Sequence, residues 1–120
     1  MSTKEQINDK LDQLLNLDGI QGAALVRRDG LSIASKFKEG VNAKQVGAMT
    51  ASTVGSSKTA AQTLNLGGIE EITIRCGEGE LVALGTGDQV ILTLLIEEGS
   101  DLEDIREEVT TTSDQIKQIL

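Results

Sequence analysis

The stretch NAKQVGAMTASTVGSSKTAAQTLNL, from Asn42 to Leu66, decides how this chain is read. It reads as one long helix of Ala, Ser, Thr, Gly and Val whose only charges are Lys44 and Lys58. The wider window from Gly40 to Ile69 has no acidic residue, although the chain carries 19 Asp+Glu against 11 Lys+Arg. A solvated helix of this length is normally laced with paired Glu and Lys. Small side chains nearly all round instead let other backbones come close, which predicts contacts on more than one face. The stretch favours an interaction protein over a catalyst.

At about 100° per residue, Ala43, Val46, Thr50, Val54, Ser57, Ala61 and Leu64 share one face, expected to lie on a sheet. Gln45, Met49, Ser52, Ser56, Ala60 and Thr63 flank that face. Lys44, Ala48, Ala51, Gly55, Lys58 and Gln62 point furthest from it. Gly47 and Gly55 each cost roughly 1 kcal/mol relative to Ala inside a helix, so the fold or a partner has to offset them. Packing on the sheet does not explain the outward set of Ala48, Ala51 and Gly55.

On the N-terminal side, Ser2 or Thr3 caps a first helix, with Glu5 and Gln6 placed as capping-box partners. Ile7, Leu11, Leu14 and Leu15 form its apolar stripe, and Asp18-Gly19 stops it. Ile20 to Arg27 and the alternating run Leu31, Ile33, Ser35, Phe37 then read as a hairpin around Asp29-Gly30. A loop at Lys38–Gly40 leads to Asn42, a good N-cap for the long helix, and Gly67-Gly68 ends that helix. Three more strands follow: Glu70 to Cys76, Leu81 to Leu84 and Val90 to Ile96, joined at Gly77–Gly79 and Gly85–Asp88. Ser100-Asp-Leu-Glu103 is a capping box opening a last helix striped by Leu102, Ile105, Val109, Thr112, Ile116 and Ile119.

Strands apolar on both faces belong in the middle of a sheet. The first (Ala23 to Val26) and the fifth (Val90 to Leu95) are of that kind, whereas the second and third alternate as half-covered edges do. The expected fold is therefore α+β: a five-stranded antiparallel sheet in the order 2-1-5-4-3. The first and last helices cover one face and the long helix the other.

Composition narrows the function classes. The 120 residues make one domain, 1–120, able to bury roughly two thirds of its unfolded surface. Phe37 is the sole aromatic, so the core is aliphatic. A formal net charge of −8 argues against nucleic acid, which is held by Lys and Arg on phosphates, and without aromatic platforms single-strand stacking is equally disfavoured. No run reaches the roughly 18 apolar residues of a membrane span, and no signal peptide opens the chain, so a cytoplasmic location is expected. Cys76, alone, has no internal disulfide partner. The absence of histidine removes the commonest general base and transition-metal ligand together.

Several motifs invite chemistry and resolve into structure. Gly55-Ser-Ser-Lys-Thr59 has the ring of a phosphate loop, but no Gly precedes the Lys and the segment sits inside a helix whose amides are bonded. Gly77-Glu-Gly79 and Gly85-Thr-Gly87 open no helix, so they are turns rather than dinucleotide fingerprints. Cys76 is expected to be a small buried hydrophobe. The acidic sets Glu97-Glu98 with Asp101, and Glu103-Asp104 with Glu107-Glu108, lack calcium-loop spacing and read as solvated faces. Arg27 and Arg28, beside the first hairpin, read as ordinary exposed strand-end charges, with mimicry of an arginine finger acting in trans as the alternative.

The ordered set Gly22-Ala-Ala-Leu-Val-Arg-Arg-Asp-Gly30, Leu31-Ser-Ile-Ala-Ser35, the small-residue helix, Leu66-Gly-Gly-Ile-Glu-Glu-Ile-Thr-Ile74 and Gly87-Asp-Gln-Val-Ile-Leu92 resembles the roadblock/dynein light chain domain family, of the MglB-like type. The resemblance spans nearly the whole chain, and it is the order of segments that is specific. It implies a profilin-like sheet, and a homodimer paired through the second helix and third strand. It also implies binding to a small Ras-like GTPase, with no nucleotide, cofactor or metal held by the chain itself. Profilins and longin domains share the architecture, but the aromatic actin surface of a profilin is missing.

On that basis the expected dimer interface is Gln45, Met49, Ser52, Ser56, Ala60 and Thr63 of the helix, with Thr73 and Arg75 on an edge strand that has no Pro or bulge to block pairing. The expected GTPase-facing platform is Lys44, Ala48, Ala51, Gly55, Lys58 and Gln62, flat and cheap in side-chain entropy to bury. Two function classes stand: a non-catalytic GTPase regulator, as activator or effector platform, and a structural scaffold of the dynein light chain type. An enzyme is a third, for which no acid/base pair is evident.

Overall fold

The computed structural model describes residues 1–38, 40–85 and 89–120. In chain order it places α1 at Thr3–Leu15, β1 at Ile20–Arg27, β2 at Ser32–Phe37, α2 at Ala43–Thr63, β3 at Glu71–Cys76, β4 at Gly79–Gly85, β5 at Val90–Glu97 and α3 at Arg106–Ile119. The strands form one antiparallel sheet in the order β2-β1-β5-β4-β3. This is the order that the two-faced β1 and β5 demanded. The loop expected at Lys38–Gly40 includes residue 39, and the turn expected at Gly85–Asp88 includes 86–88; both fall partly outside the described residues.

The two faces of the sheet are unequally covered. On one, α1 and α3 bury Ile7, Leu11, Leu14, Val109 and Ile116 against Leu25, Val82, Leu92 and Leu94. Fully burying a side chain of this kind stabilises by about 1.5–3 kcal/mol, so this layer supplies most of the apolar stabilisation. On the other face the apolar cluster is small: Val54 of α2 with Ala83, Ile91 and the half-buried Ile72. The long helix is attached through short side chains.

Local signals acted as read at some termini and not at others. Ser2 caps α1, its hydroxyl oxygen accepting from the Glu5 N–H at 3.1 Å. Asn42 caps α2, accepting from the Gln45 N–H at 3.1 Å. The long helix ends earlier than Gly67-Gly68. Asn65 takes a left-handed φ of 56°, while the Leu66 N–H donates to the Ala61 carbonyl at 2.9 Å and the Asn65 N–H to that of Gln62 at 3.2 Å. That is a Schellman motif with Asn in the position usually held by Gly.

The capping box expected at Ser100–Glu103 does not form. Asp101 instead accepts from the Glu103 N–H at 2.9 Å and caps a short 3-10 turn, Leu102–Asp104, while α3 begins only at Arg106. Ser100 turns back to donate to Glu97 at 3.4 Å. Burial of both Leu102 and Ile105 in the α1/α3 layer holds the chain in this tighter turn. Cys76 also departs from expectation: it is exposed, at the end of β3, which is the sheet edge.

Candidate functional site

α2 is the element around which every candidate surface is arranged. Its sheet side buries Val46, Gly47, Thr50, Val54 and Ala61. Ala43 and Ser57 of the predicted face are half-buried, but Leu64 is exposed at the C-cap, beyond the edge of the covered sheet. Beneath the helix centre the Thr50 and Thr93 hydroxyls share a hydrogen bond of 3.1 Å.

Gly47 has an intramolecular reason. A Cβ on it would collide with the Gly30 carbonyl oxygen, in the turn between β1 and β2. That turn is tight: the Gly30 N–H donates to the Arg27 carbonyl at 2.9 Å and Gly30 has φ 95°. The pair makes a three-residue loop with a left-handed glycine. A Cβ built on Gly30 would lie 3.6 Å from both the Ala48 Cα and the Ala51 Cβ. The turn therefore leans on one flank of α2. Gly55 differs, for no described residue lies within 4 Å of where its Cβ would be.

These contacts orient the helix. The flank bearing Ala48, Ala51, Gly55, Lys58 and Gln62 faces the end of the sheet where the β1–β2 turn lies. Lys58 and Gln62 line a groove of about 870 Å³ with Arg28, Gln89 and Ile72. Lys44, Ala48, Gly55, Lys58 and Gln62 are exposed, but Ala51, expected to point away, is half-buried beside Gly30. The opposite flank carries Met49, Ala60 and Leu64 by helical spacing. Gln45, Met49, Ser52, Ser56, Ala60 and Thr63 are all exposed.

Thr73 and Arg75 are exposed on the edge strand, yet their side chains lie on the α3 side of the sheet, away from α2. Thr73 donates to Glu71 at 3.1 Å, and Arg75 Nε donates to Glu80 at 2.6 Å. Glu71 in turn accepts from Arg106 at 2.7 and 3.3 Å, and Arg106 Nε donates to Glu103 at 2.8 Å. The hydrogen bond from Arg106 holds the Glu71 carboxyl below its usual range against a partial burial that opposes it, and the two carboxylates push the Arg106 guanidinium further up. This clasp fastens α3 to β3.

What β3 offers on the α2 side is Ile72, Ile74 and Cys76, since successive side chains alternate. Ile74 is exposed, and it pairs across to Leu81, which pairs to Leu95. The sequence reading missed Leu64, Leu66, Ile74, Leu81 and Leu95 as surface; helical spacing for Leu64 and the apolar pattern of the strands spoke only of buried faces, without saying how much of the sheet α2 covers.

Gly55–Thr59 lies within α2, where the Thr59 hydroxyl donates to the Gly55 carbonyl at 3.2 Å. Arg27 is held by Asp29 at 2.6 Å, which occupies it locally, while Arg28 is exposed at the groove. Among the described residues no three Cys, Asp or Glu side chains converge as a cation site, and no helix is long and apolar enough to cross a membrane.

Comparison with known proteins agrees with this architecture. Residues 6–96 match the Roadblock/LC7 domain model. Uncharacterized protein MJ0714 of Methanocaldococcus jannaschii is 31% identical over 114 residues, covering 95% of this chain and 96% of that protein. A solved MglB with tetrameric arrangement superposes with a TM-score of 0.90 at 18% identity, covering 99% of this chain and 90% of its own. The gliding protein MglB of Thermus thermophilus gives 0.89 at 18% identity, with 99% and 91% covered. With most of its length matched by the family model and its strand order set by its own two-faced strands, this chain belongs to the Roadblock/LC7 domain family.

Proposed function

We propose that residues 1–120 act as one cytoplasmic roadblock unit, a homodimer that regulates or reads a Ras-like small GTPase without contributing a catalytic group. The observation that carries this is Gly55: an exposed helical glycine with open space at its Cβ position among the described residues, in a helix without an acidic residue. A helix-interior glycine costs about 1 kcal/mol relative to Ala, and among the described residues no contact offsets it. Close approach of another molecule would.

The two bare flanks of α2 divide the work. The flank with Met49, Ser56 and Ala60 is exposed and suits a second copy; that another family member is solved in a tetrameric arrangement supports self-assembly. The flank with Ala48, Gly55, Lys58 and Gln62 is neutral to basic and poor in long side chains, so it loses little side-chain entropy on burial. In this reading it supports a switch region, letting the GTPase's own groups orient water. Arg27, paired to Asp29, is not extended toward a partner.

The test is titration of the chain against a Ras-like GTPase from the same genome, loaded with a GTP analogue or with GDP. Preference for the GTP form, lost in Gly55→Arg while sedimentation still shows a dimer, is the expected result. Charge reversal at Glu107 or Glu108 of α3 should leave binding unchanged. Binding that ignores the nucleotide would make the chain a scaffold of the dynein light chain type, and loss through α3 alone would place the partner on the other face.

A further inference from the structure

Two apolar features lie uncovered at opposite ends of β3, on the same side of the sheet. At its start, the turn that follows α2 displays Leu64 and Leu66, 65% and 71% exposed. The Schellman motif holds this turn in shape, so the two leucines are a formed knob rather than a frayed end. At the far end of β3 is a groove of about 670 Å³ lined by Cys76, Leu81 and Leu95, with Glu78 and Glu97 at its rim.

Strand pairing puts the groove on the face that carries α2, the side from which the turn after α2 leads to β3. Leu81 pairs with Ile74 and Leu95, and it lies two residues from Ala83, which packs with Val54 of α2. Side chains two apart in a strand point the same way. The groove is thus the part of the α2 face that α2 does not reach.

A six-residue strand is about 17 Å from first to last residue. In two-fold antiparallel pairing of an edge with its own copy, the start of each strand meets the end of the other. A knob before the strand then arrives where the other copy has its groove, and the match occurs twice. Charge agrees with this seating. The groove rim carries Glu78 and Glu97, and the segment brought to it comes from the window Gly40 to Ile69, which has no acidic residue.

We propose that in the dimer the Leu64–Leu66 turn of one copy seats in the Cys76–Leu81–Leu95 groove of the other. This rests on the homodimer reading above, and it names contacts that the helix flank alone does not supply. It also makes Cys76 a built-in reporter, because the thiol lies in the groove that receives the knob.

The test uses that native thiol. Leu66→Cys and Leu64→Cys are made singly in the full chain and oxidised gently at micromolar concentration. A disulfide requires Cα atoms within about 7 Å, so bridging between positions 66 and 76 of one chain, at opposite ends of β3, is excluded, and the parent chain controls for Cys76 to Cys76 across the two-fold. The expected result is a covalent dimer from at least one variant. It should disappear when Cys76→Ser is added, and the parent chain should form none. A dimer in sedimentation with no cross-link from either variant overturns the seating and leaves the homodimer standing. Cross-linking that survives Cys76→Ser means the two turns meet each other, which also overturns it. A monomer in sedimentation removes both readings.

Discussion

Thr50 of α2 and Thr93 of β5 face each other under the long helix, hydroxyl to hydroxyl at 3.1 Å, each only 1% exposed. A buried hydroxyl deprived of its partner costs about 1–3 kcal/mol, whereas replacing both members with apolar groups of similar shape is close to neutral. Thr50→Val and Thr93→Val should therefore each lower the urea midpoint, and the double variant should recover most of the loss. Additive losses would mean that each hydroxyl is satisfied by something other than the other threonine.

The two helical glycines should respond in opposite directions. A methyl at Gly47 meets the Gly30 carbonyl oxygen, which is backbone and cannot turn aside, so Gly47→Ala should destabilise by about 1–3 kcal/mol. Gly55→Ala enters open space and should stabilise the isolated protein by about 0.5–1 kcal/mol through helix propensity. Thermal melts of both variants check the signs. If the GTPase approaches this flank closely, the same Gly55→Ala weakens binding while raising stability.

The clasp between α3 and β3 predicts a pH dependence. Because Arg106 holds the folded Glu71 carboxyl below its usual value of 4.5, the ion pair stabilises fully above that value and is lost as the pH falls through the lower, folded one. With Arg106 and Glu71 side chains 39% and 27% exposed, solvent screening limits the contribution to about 0.5–1 kcal/mol. Glu71→Gln should show that deficit at pH 7 and converge on the parent in acid. A deficit unchanged from pH 7 to pH 3 would count against the ion pair as its source.

Self-association is read out by mass. Sedimentation at micromolar concentration should show about twice 12.7 kDa, and Ser56→Trp, adding bulk to the exposed flank of α2, should shift the chain toward monomer with little change in its melting temperature. An unmoved dimer would place the contact elsewhere.

Much of the fold was legible because it follows from local spacing. Alternation and two-faced runs set which strands are central, and they led to the order β2-β1-β5-β4-β3 without any long-range information. The candidate site was legible as a helix and less so as surfaces. Thr73 and Arg75 were rightly on the edge strand, but alternation sends them to the α3 side, where Glu80 and the Glu71–Arg106 clasp wait. The capping box at Ser100 lost to an Asp101 cap because two buried residues, Leu102 and Ile105, pulled the chain into a tighter turn.

By itself the sequence determined the elements, their order in the sheet and the small, acid-free character of α2, because those depend on residue type and on periods of 2 and 3.6. Where α2 crosses the sheet was decided only in three dimensions. The Gly47–Gly30 approach and the Thr50–Thr93 hydrogen bond join residues far apart in the chain, and no local pattern encodes them. They place α2 toward the β1–β2 turn, and so leave Ile74 and Cys76 exposed, with Leu81 and Leu95 only half-covered, at the other end. A period tells which residues share a face; only the packing of one element on another decides how much of that face remains open.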